Sequence, residues 1–145
     1  MQVHTNQVQG YLSKLSGPLV DRIDIHVEVP TVPFEQLRSE RDGTSSAMLR
    51  EQVMIARKKQ ALRFNSLDVR TNSEMSSRQV REYCKLDEDG QQILKQSVYE
   101  LGLSARAHDK VLKVARTLAD MESAETISPD HLAEAIQYRR LDRQL

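Results

Sequence analysis

An amphipathic pattern between residues 104 and 121 constrains the fold of this chain more than any other stretch. Its apolar residues recur at i, i+1, i+4, i+7 and i+8, which is the spacing that lines one side of an α-helix, and Ser104 is a suitable N-cap. At about 100° per residue, Arg106 lies roughly opposite the middle of this stripe. The pattern therefore predicts a helix with one face in the core and Arg106 on the other. The stripe consists of Val111, Leu112, Ala115, Leu118 and Ala119, and the polar residues expected near Arg106 are Lys110, Lys113 and Asp120.

Start and stop signals indicate three more helices around this one. A polar N-cap precedes each of them, and Gly102 is a suitable stop for the second. The connections between them are short, as in a helix bundle. Residues 76–140 are therefore predicted to form a compact four-helix unit. The start signals are Ser76 with Gln79 as a capping box, then Asp87, and finally Ser128 with Pro129 at the first helical position.

The residues before position 31 follow a different pattern. A short helix is expected over residues 8–15, ended by Gly17 and Pro18. After it, apolar and polar residues alternate until Pro30, which predicts a strand with one buried face. A strand needs a neighbour for its backbone hydrogen bonds, and the only other extended run, residues 67–71, is weak. We therefore expect an orphan strand whose sheet lies outside this sequence. Its apolar residues are Ile23, Ile25, Val27 and Val29.

A long helix is predicted over residues 45–65. Gln60 interrupts its apolar stripe, so we expect this helix to project or to pack on a surface that tolerates basic residues. Residues 50–63 include five basic residues and one acid. These residues either contact DNA or form a solvated charged face, which is the commoner explanation. The apolar stripe consists of Leu49, Val53, Ala56 and Phe64, and the same two interpretations apply to Arg139, Arg140 and Arg143.

Composition limits the classes of protein that fit these elements. A chain of 145 residues has the size of one domain and can bury a core without disulfides or a metal. Cys84 is the only cysteine, which excludes an internal disulfide and a Cys-rich zinc site and fits a reducing, cytoplasmic setting. No run of about 18 apolar residues is present, so no membrane partner is expected. The 21 basic and 21 acidic residues cancel, so no overall field attracts nucleic acid.

The sequence contains no motif of a self-contained active site. It has no phosphate-binding loop of the form G-x-x-x-x-G-K-S/T, no H-E-x-x-H and no G-x-S-x-G. The four histidines are scattered and lack the spacing of metal ligands, so no metal site is predicted. The acidic residues 87–89 are explained more simply by the cap and dipole of a first helical turn than by catalysis.

The residues around the predicted strand carry a family resemblance. Residues 16–30, with the sequence SGPLVDRIDIHVEVP, closely resemble the segment after the sensor 1 strand in magnesium-chelatase-like AAA+ ATPases, the ComM family among them. Four more segments resemble the same family in the same order, namely residues 72–84, 101–106, 115–120 and 131–139. The resemblance covers nearly the whole chain. It implies a carboxy-terminal fragment of such an ATPase, whose phosphate-binding loop and Walker B acids would precede Met1.

The resemblance also implies a division of the chain and a fold class. Residues 1–31 would be the end of the α/β ATPase core with the arginine-finger segment, and residues 32–75 the connection and the long insertion helix. Residues 76–145 would be the helical lid domain. The expected fold is therefore mainly α, with a four-helix AAA+ lid preceded by an insertion helix and one orphan strand.

Two arginines receive roles from this resemblance. Arg22 is implied to be the arginine finger, which acts in trans on the γ-phosphate of ATP held by the neighbouring subunit. Arg106 is implied to be the sensor 2 arginine, which faces the nucleotide of its own subunit. A planar and permanently charged guanidinium suits both roles. The residues alone also allow simpler interpretations, in which Arg22 pairs with Asp21 or Asp24 and Arg106 is a solvated helix residue.

Two classes of function fit the resemblance. The first is an ATP-driven and Mg²⁺-dependent hexameric ring that acts on DNA, including branched DNA, as ComM-like proteins do in natural transformation. The second is a chelatase-like or regulatory ATPase that remodels a protein partner. Neighbouring subunits are the expected partners in both, and the lid alone does not separate them. The fragment by itself is expected to need no cofactor and to lack ATPase activity.

Overall fold

The computed structural model describes residue 10 and residues 17–34, 43–65 and 68–139. These residues are mainly helical, which confirms the predicted fold class. No helix within them combines the length and the apolar character needed to cross a membrane. The elements are α1 (Gly17–Val20), α2 (Ser46–Arg63), a 3-10 turn (Asn72–Glu74), α3 (Ser77–Tyr83), α4 (Glu88–Leu101), α5 (Ala105–Met121) and α6 (Pro129–Gln137).

Helices α3 to α6 form the predicted four-helix unit. A side-chain oxygen at each predicted N-cap accepts a hydrogen bond from a backbone N–H of the first turn, which satisfies a donor that the helix itself leaves unpaired. Gly102 ends α4 in the left-handed conformation, with φ 62°, which other residues rarely adopt. Local sequence signals thus determine where these four helices begin and where α4 ends. The four caps are Ser76, Asp87, Ser104 and Ser128.

Helix α5 lies at the centre of the core. Val111 and Ala115 on its apolar stripe are fully buried, as is Leu132 of α6. The helix packs against α2, α3 and α6. At its margin, Phe64 meets Tyr83 edge to face, with ring centroids 5.7 Å apart. The predicted central role of α5 is therefore confirmed.

Helix α2 is present as predicted and is half packed, half projecting. Its first ten residues, 46–55, are all exposed, whereas Ala56 and Gln60 are buried. Gln60, which interrupts the apolar stripe, accepts a hydrogen bond from the backbone N–H of Asn72 at 3.2 Å. A buried polar side chain is tolerated there because its oxygen has a partner.

The predicted strand is not confirmed, because residues 23–33 form neither strand nor helix. An extended segment needs a neighbouring strand for its backbone groups, and the described ranges contain no strand that could pair with it. The segment lies against α6 instead, where the His26 N–H donates to the Tyr138 carbonyl at 2.8 Å. Val27 and Val29, expected on a buried face, are 65% and 83% exposed.

Gly17 and Pro18, which the sequence predicts as the stop of a helix over residues 8–15, are the first two residues of α1. A helix that begins there is compatible with a preceding helix that ends before it. Proline has the backbone angle of a first helical turn and needs no amide donor there, so it suits the start of a helix. Of the helix expected over residues 8–15, all but residue 10 lies outside the described residues.

Candidate functional site

A cleft of 1810 Å³ lies between residues 22–27 and the outward face of α5. Both arginines singled out from the sequence, Arg22 and Arg106, line it. The structure therefore brings together two residues that are 84 positions apart, although the resemblance assigns them to different nucleotides. The other basic residues of the lining are Arg81, Lys110 and Lys113, and its apolar residues include Ile25, Val27, Leu103, Val114 and Leu118.

Arg106 occupies the first turn of α5 and faces away from the core, as the helical pattern predicts. Its side chain is 60% exposed, and its nearest carboxylate is that of Asp21 at 3.6 Å. The other oxygen of Asp21 accepts a hydrogen bond from the Ser104 hydroxyl at 2.6 Å. A long contact between exposed groups contributes little to stability, so the Arg106 guanidinium is available to a stronger anionic ligand.

Arg22 lies in the turn that follows α1, where its N–H donates to the Leu19 carbonyl at 3.0 Å. Its side chain is exposed. The simpler interpretation paired it with Asp21 or Asp24, but Asp21 contacts α5 and the Asp24 carboxylate accepts from Lys110. Within the described part of the chain, no carboxylate forms an ion pair with Arg22.

The structure reveals a polar cluster that the helical pattern missed. The pattern puts Asp120 on the exposed face with Arg106, and this prediction is wrong, because Asp120 is fully buried. Its carboxylate accepts from Arg63 of α2 at 2.5 and 2.8 Å, from Asn72 Nδ2 at 2.9 Å, and from Arg116 Nε at 3.2 Å. The cluster therefore joins α2 and the 3-10 turn to α5.

The charges in this cluster are set by opposing effects. Burial by itself raises the pKa of Asp120, but hydrogen bonds from Arg63 and Asn72 outweigh it, so the pKa is lowered. Arg116 also donates to the carbonyls of Glu125 and Ala124 at 2.8 and 2.7 Å, which fixes the connection between α5 and α6. The i, i+4 spacing of Arg116 and Asp120 was the one sequence signal for this cluster.

Some of the basic residues considered as DNA contacts are held by other residues of the chain, and others are exposed. Arg139 is buried, at 1% exposure, and donates to the Ile23 carbonyl, so it does not form an exposed basic surface. On α2, Lys59 donates to the Ser123 carbonyl at 2.8 Å, and Arg63 is held by Asp120. Arg50 on the projecting half is exposed. Residues 140 and 143 lie outside the described ranges.

His108, His131 and Cys84 have structural environments. His131 closes the capping box of α6 and contacts the Glu122 carboxylate at 2.9 Å, and His108 contacts Asp109 at 3.2 Å. Burial raises the pKa of the Cys84 thiol to about 12. In the part of the chain that the structure describes, no group of three His, Cys, Asp or Glu residues could hold a metal ion.

A pair of substitutions on α5 tests which side of the helix supports the fold. We expect Leu112→Ala to lower the free energy of unfolding by about 2–5 kcal/mol, since it leaves a cavity in the core. Arg106→Ala should leave the melting temperature nearly unchanged, because the side chain is mostly exposed. Thermal unfolding followed by circular dichroism measures both. A large loss of stability from Arg106→Ala would show that this arginine is structural.

The fold and the site together define a class of protein. A four-helix unit, with an exposed arginine on the first turn of its central helix and a projecting helix before it, is consistent with the helical lid of a chelatase-like AAA+ protein. The family model "Magnesium chelatase, subunit ChlI C-terminal" matches residues 43–139, and the model "Magnesium chelatase, subunit ChlI" matches residues 1–37. The chain belongs to this magnesium chelatase ChlI family.

Relatives in several bacteria cover nearly all of the chain. It is 41% identical over 96% of its length to the uncharacterized protein YifB of Escherichia coli, and 39% identical over the same share to the competence protein ComM of Haemophilus influenzae. It is 33% identical over 90% of its length to an uncharacterized protein of Mycobacterium tuberculosis. The chain spans 27% of the length of the first two relatives and 26% of the third.

Proposed function

We propose that this chain is the lid and arginine-finger part of an ATP-driven ring that acts on DNA, in the manner of a ComM-like helicase. The observation that carries the proposal is the exposed guanidinium of Arg106 in the cleft, where the Asp21 carboxylate at 3.6 Å is its one ion-pair partner among the described residues. The 39% identity to a competence protein, ComM, supports natural transformation as the process. The family resemblance described above implies DNA as the substrate.

In this proposal the two arginines serve different nucleotides. Arg106 contacts the phosphates of ATP in its own subunit, where its planar fork can donate two hydrogen bonds to phosphate oxygens. Arg22 is exposed in a turn, so a neighbouring subunit of a closed, hexameric ring can bring its ATP to it. There it stabilises the charge that spreads over the γ-phosphoryl oxygens during transfer. Mg²⁺ is expected with ATP, but the described residues offer no ligand set for it, so no step here depends on them holding it.

The projecting half of α2 favours a second candidate function. Leu49 and Val53 are 50% and 51% exposed there, on the same side of the helix as the buried Ala56. Exposed apolar residues that continue a packed stripe are typical of a surface that contacts protein. The alternative is therefore a chelatase-like or regulatory ATPase that remodels a protein partner, and in that case DNA would not change its turnover.

The test compares ATP hydrolysis by the full-length protein alone, with linear duplex DNA and with branched DNA. We expect branched DNA to stimulate hydrolysis, and the stimulation to weaken as salt rises, because phosphate contacts release counterions. The 145-residue chain by itself should show no turnover, since its sequence has no loop that could cradle phosphates. Hydrolysis that is strong but indifferent to every DNA would favour the protein-remodelling alternative.

A further inference from the structure

Residues 21–26, which we call the finger segment, are held by the lid at several points. Asp21 accepts from Ser104 at the start of α5, and the His26 N–H donates to a carbonyl at the end of α6. Arg22 stands between these contacts. The segment is therefore attached to the lid on both sides of the proposed finger residue. The lid residues that contact it are Ser104, Arg106, Lys110, Tyr138 and Arg139.

Lys110 makes the contacts closest to the finger itself. Its ammonium group donates to the main-chain carbonyl of Arg22 at 2.6 Å and to the Asp24 carboxylate. The Lys110 side chain is only 15% exposed, so its charge lies largely out of water and both of its described partners belong to the finger segment. Holding the Arg22 carbonyl restrains the backbone from which the Arg22 side chain projects.

Lys110 and Arg106 occupy related positions on α5. They are four residues apart, so they lie on the same face of the helix, about 6 Å apart along its axis. One face of one helix therefore carries both the proposed phosphate sensor and the residue that holds the finger segment. A movement of α5 toward or away from a nucleotide at Arg106 would carry the Arg22 backbone with it.

We propose that Lys110 is a positioning residue for Arg22. Together with Asp24, it holds the finger segment on the lid. The nucleotide of the same subunit sets the position of the lid, and Lys110 thereby couples that position to Arg22, which acts on the nucleotide of the neighbouring subunit. This inference depends on the proposed ATPase function, and it assigns a role to a lysine that does not itself touch ATP.

The test uses steady-state ATP hydrolysis by the full-length protein without DNA. Misplacement of a catalytic group by about 1 Å costs up to a hundredfold in rate, so we expect Lys110→Met to lower kcat on the order of ten- to hundredfold. The KM for ATP should stay within a few-fold. Asp24→Asn should act in the same direction, and its side chain is 59% exposed, so this variant leaves the lid core intact. Lys110→Arg keeps a cation that can donate to both the Arg22 carbonyl and the Asp24 carboxylate, so this variant should recover part of the rate.

Lys59→Met is the matched control. Lys59 is also a partly covered lysine whose ammonium donates to a main-chain carbonyl far along the chain, that of Ser123 at 2.8 Å, but it lies outside the cleft. It should leave hydrolysis nearly unchanged. In an Arg22→Ala background, Lys110→Met should have little further effect, because two residues that act through one group are not additive.

The outcomes distinguish the proposed role of Arg22 as the finger from the proposed role of Lys110 as its positioning residue. If Arg22→Ala leaves ATP hydrolysis intact, the proposed role of the finger is wrong whatever Lys110 does. If Arg22→Ala suppresses hydrolysis but Lys110→Met behaves like Lys59→Met, the finger stands and the positioning role is wrong. An effect of Lys110→Met that is as large in the Arg22→Ala background as in the wild type would also overturn the positioning role.

Discussion

Replacing Asp120 with alanine is expected to lower the free energy of unfolding by about 3–5 kcal/mol, the usual cost of removing one partner from a buried ion pair. Arg116 is 3% exposed and the Arg63 side chain 15% exposed, so both cations would lose their carboxylate without gaining full access to water. Asn72 would lose an acceptor as well. Because the cluster joins α2 to α5, we expect α2 to separate from the lid at lower denaturant concentration.

Chemical denaturation followed by circular dichroism measures this effect, with Asp109→Ala as the control. Asp109 is also an acid on α5 and accepts a hydrogen bond from Ser77 at 2.6 Å, but its side chain is 28% exposed. Water can replace its contacts, so its substitution should cost much less. If Asp120→Ala costs no more than Asp109→Ala, the cluster does not hold α2 on the lid.

The same cluster predicts a dependence of stability on pH. The pKa of Asp120 is lower in the folded protein than in the unfolded chain, so its contribution is complete above the ordinary aspartate pKa of about 3.9. It is lost as pH falls through the folded pKa, since the unfolded chain then binds the proton more readily. The Asp120→Ala protein should therefore lose less stability than the wild type between about pH 5 and pH 2.

The helices of the lid could be predicted because their signals are local. Each N-cap side chain accepts a hydrogen bond from the first turn of the helix that it caps, and Gly102 ends α4 by its own backbone conformation. The four N-caps are Ser76, Asp87, Ser104 and Ser128. Such signals depend on residues a few positions apart, so they can be recognised without knowledge of the fold. The exposure of Arg106 followed in the same way from the period of α5.

The features that the sequence did not reveal depend on distant partners. Asp120 has the helical angle of an exposed residue, but α2 covers that side of α5 and brings Arg63 to it from 57 positions away. The alternation of apolar and polar residues at 23–29 is typical of a strand, but a strand forms only beside another strand that pairs with its backbone groups. The contacts of Asp21 and Asp24 with α5 were likewise invisible, because nothing in the sequence near Arg22 indicates Ser104 or Lys110.

The substitution with the largest expected effect on activity is Arg22→Ala in the full-length protein. A finger arginine supplied by a neighbour contributes on the order of a thousandfold or more to the rate of phosphoryl transfer, so turnover should fall by about that factor. ATP binding should stay within a few-fold, since the finger acts on the transition state rather than on the bound substrate. Steady-state hydrolysis and equilibrium binding of a fluorescent ATP analogue measure the two quantities. Arg78→Ala, at an exposed arginine of α3 outside the cleft, is the control and should alter neither.

Mixing two inactive proteins distinguishes a finger that acts between subunits from one that acts within its own. A ring subunit with Arg22→Ala still offers an intact phosphate-binding loop, and a subunit with a defective loop still offers Arg22. At interfaces where the first binds ATP and the second supplies the arginine, every required group is present, so mixed rings should regain part of the turnover. If Arg22 served the nucleotide of its own subunit, no such interface would be complete, and mixing would restore nothing although mixed rings form. Because Arg22 and Arg106 line one cleft in the single chain, this mixing experiment decides whether Arg22 serves its own nucleotide or that of its neighbour.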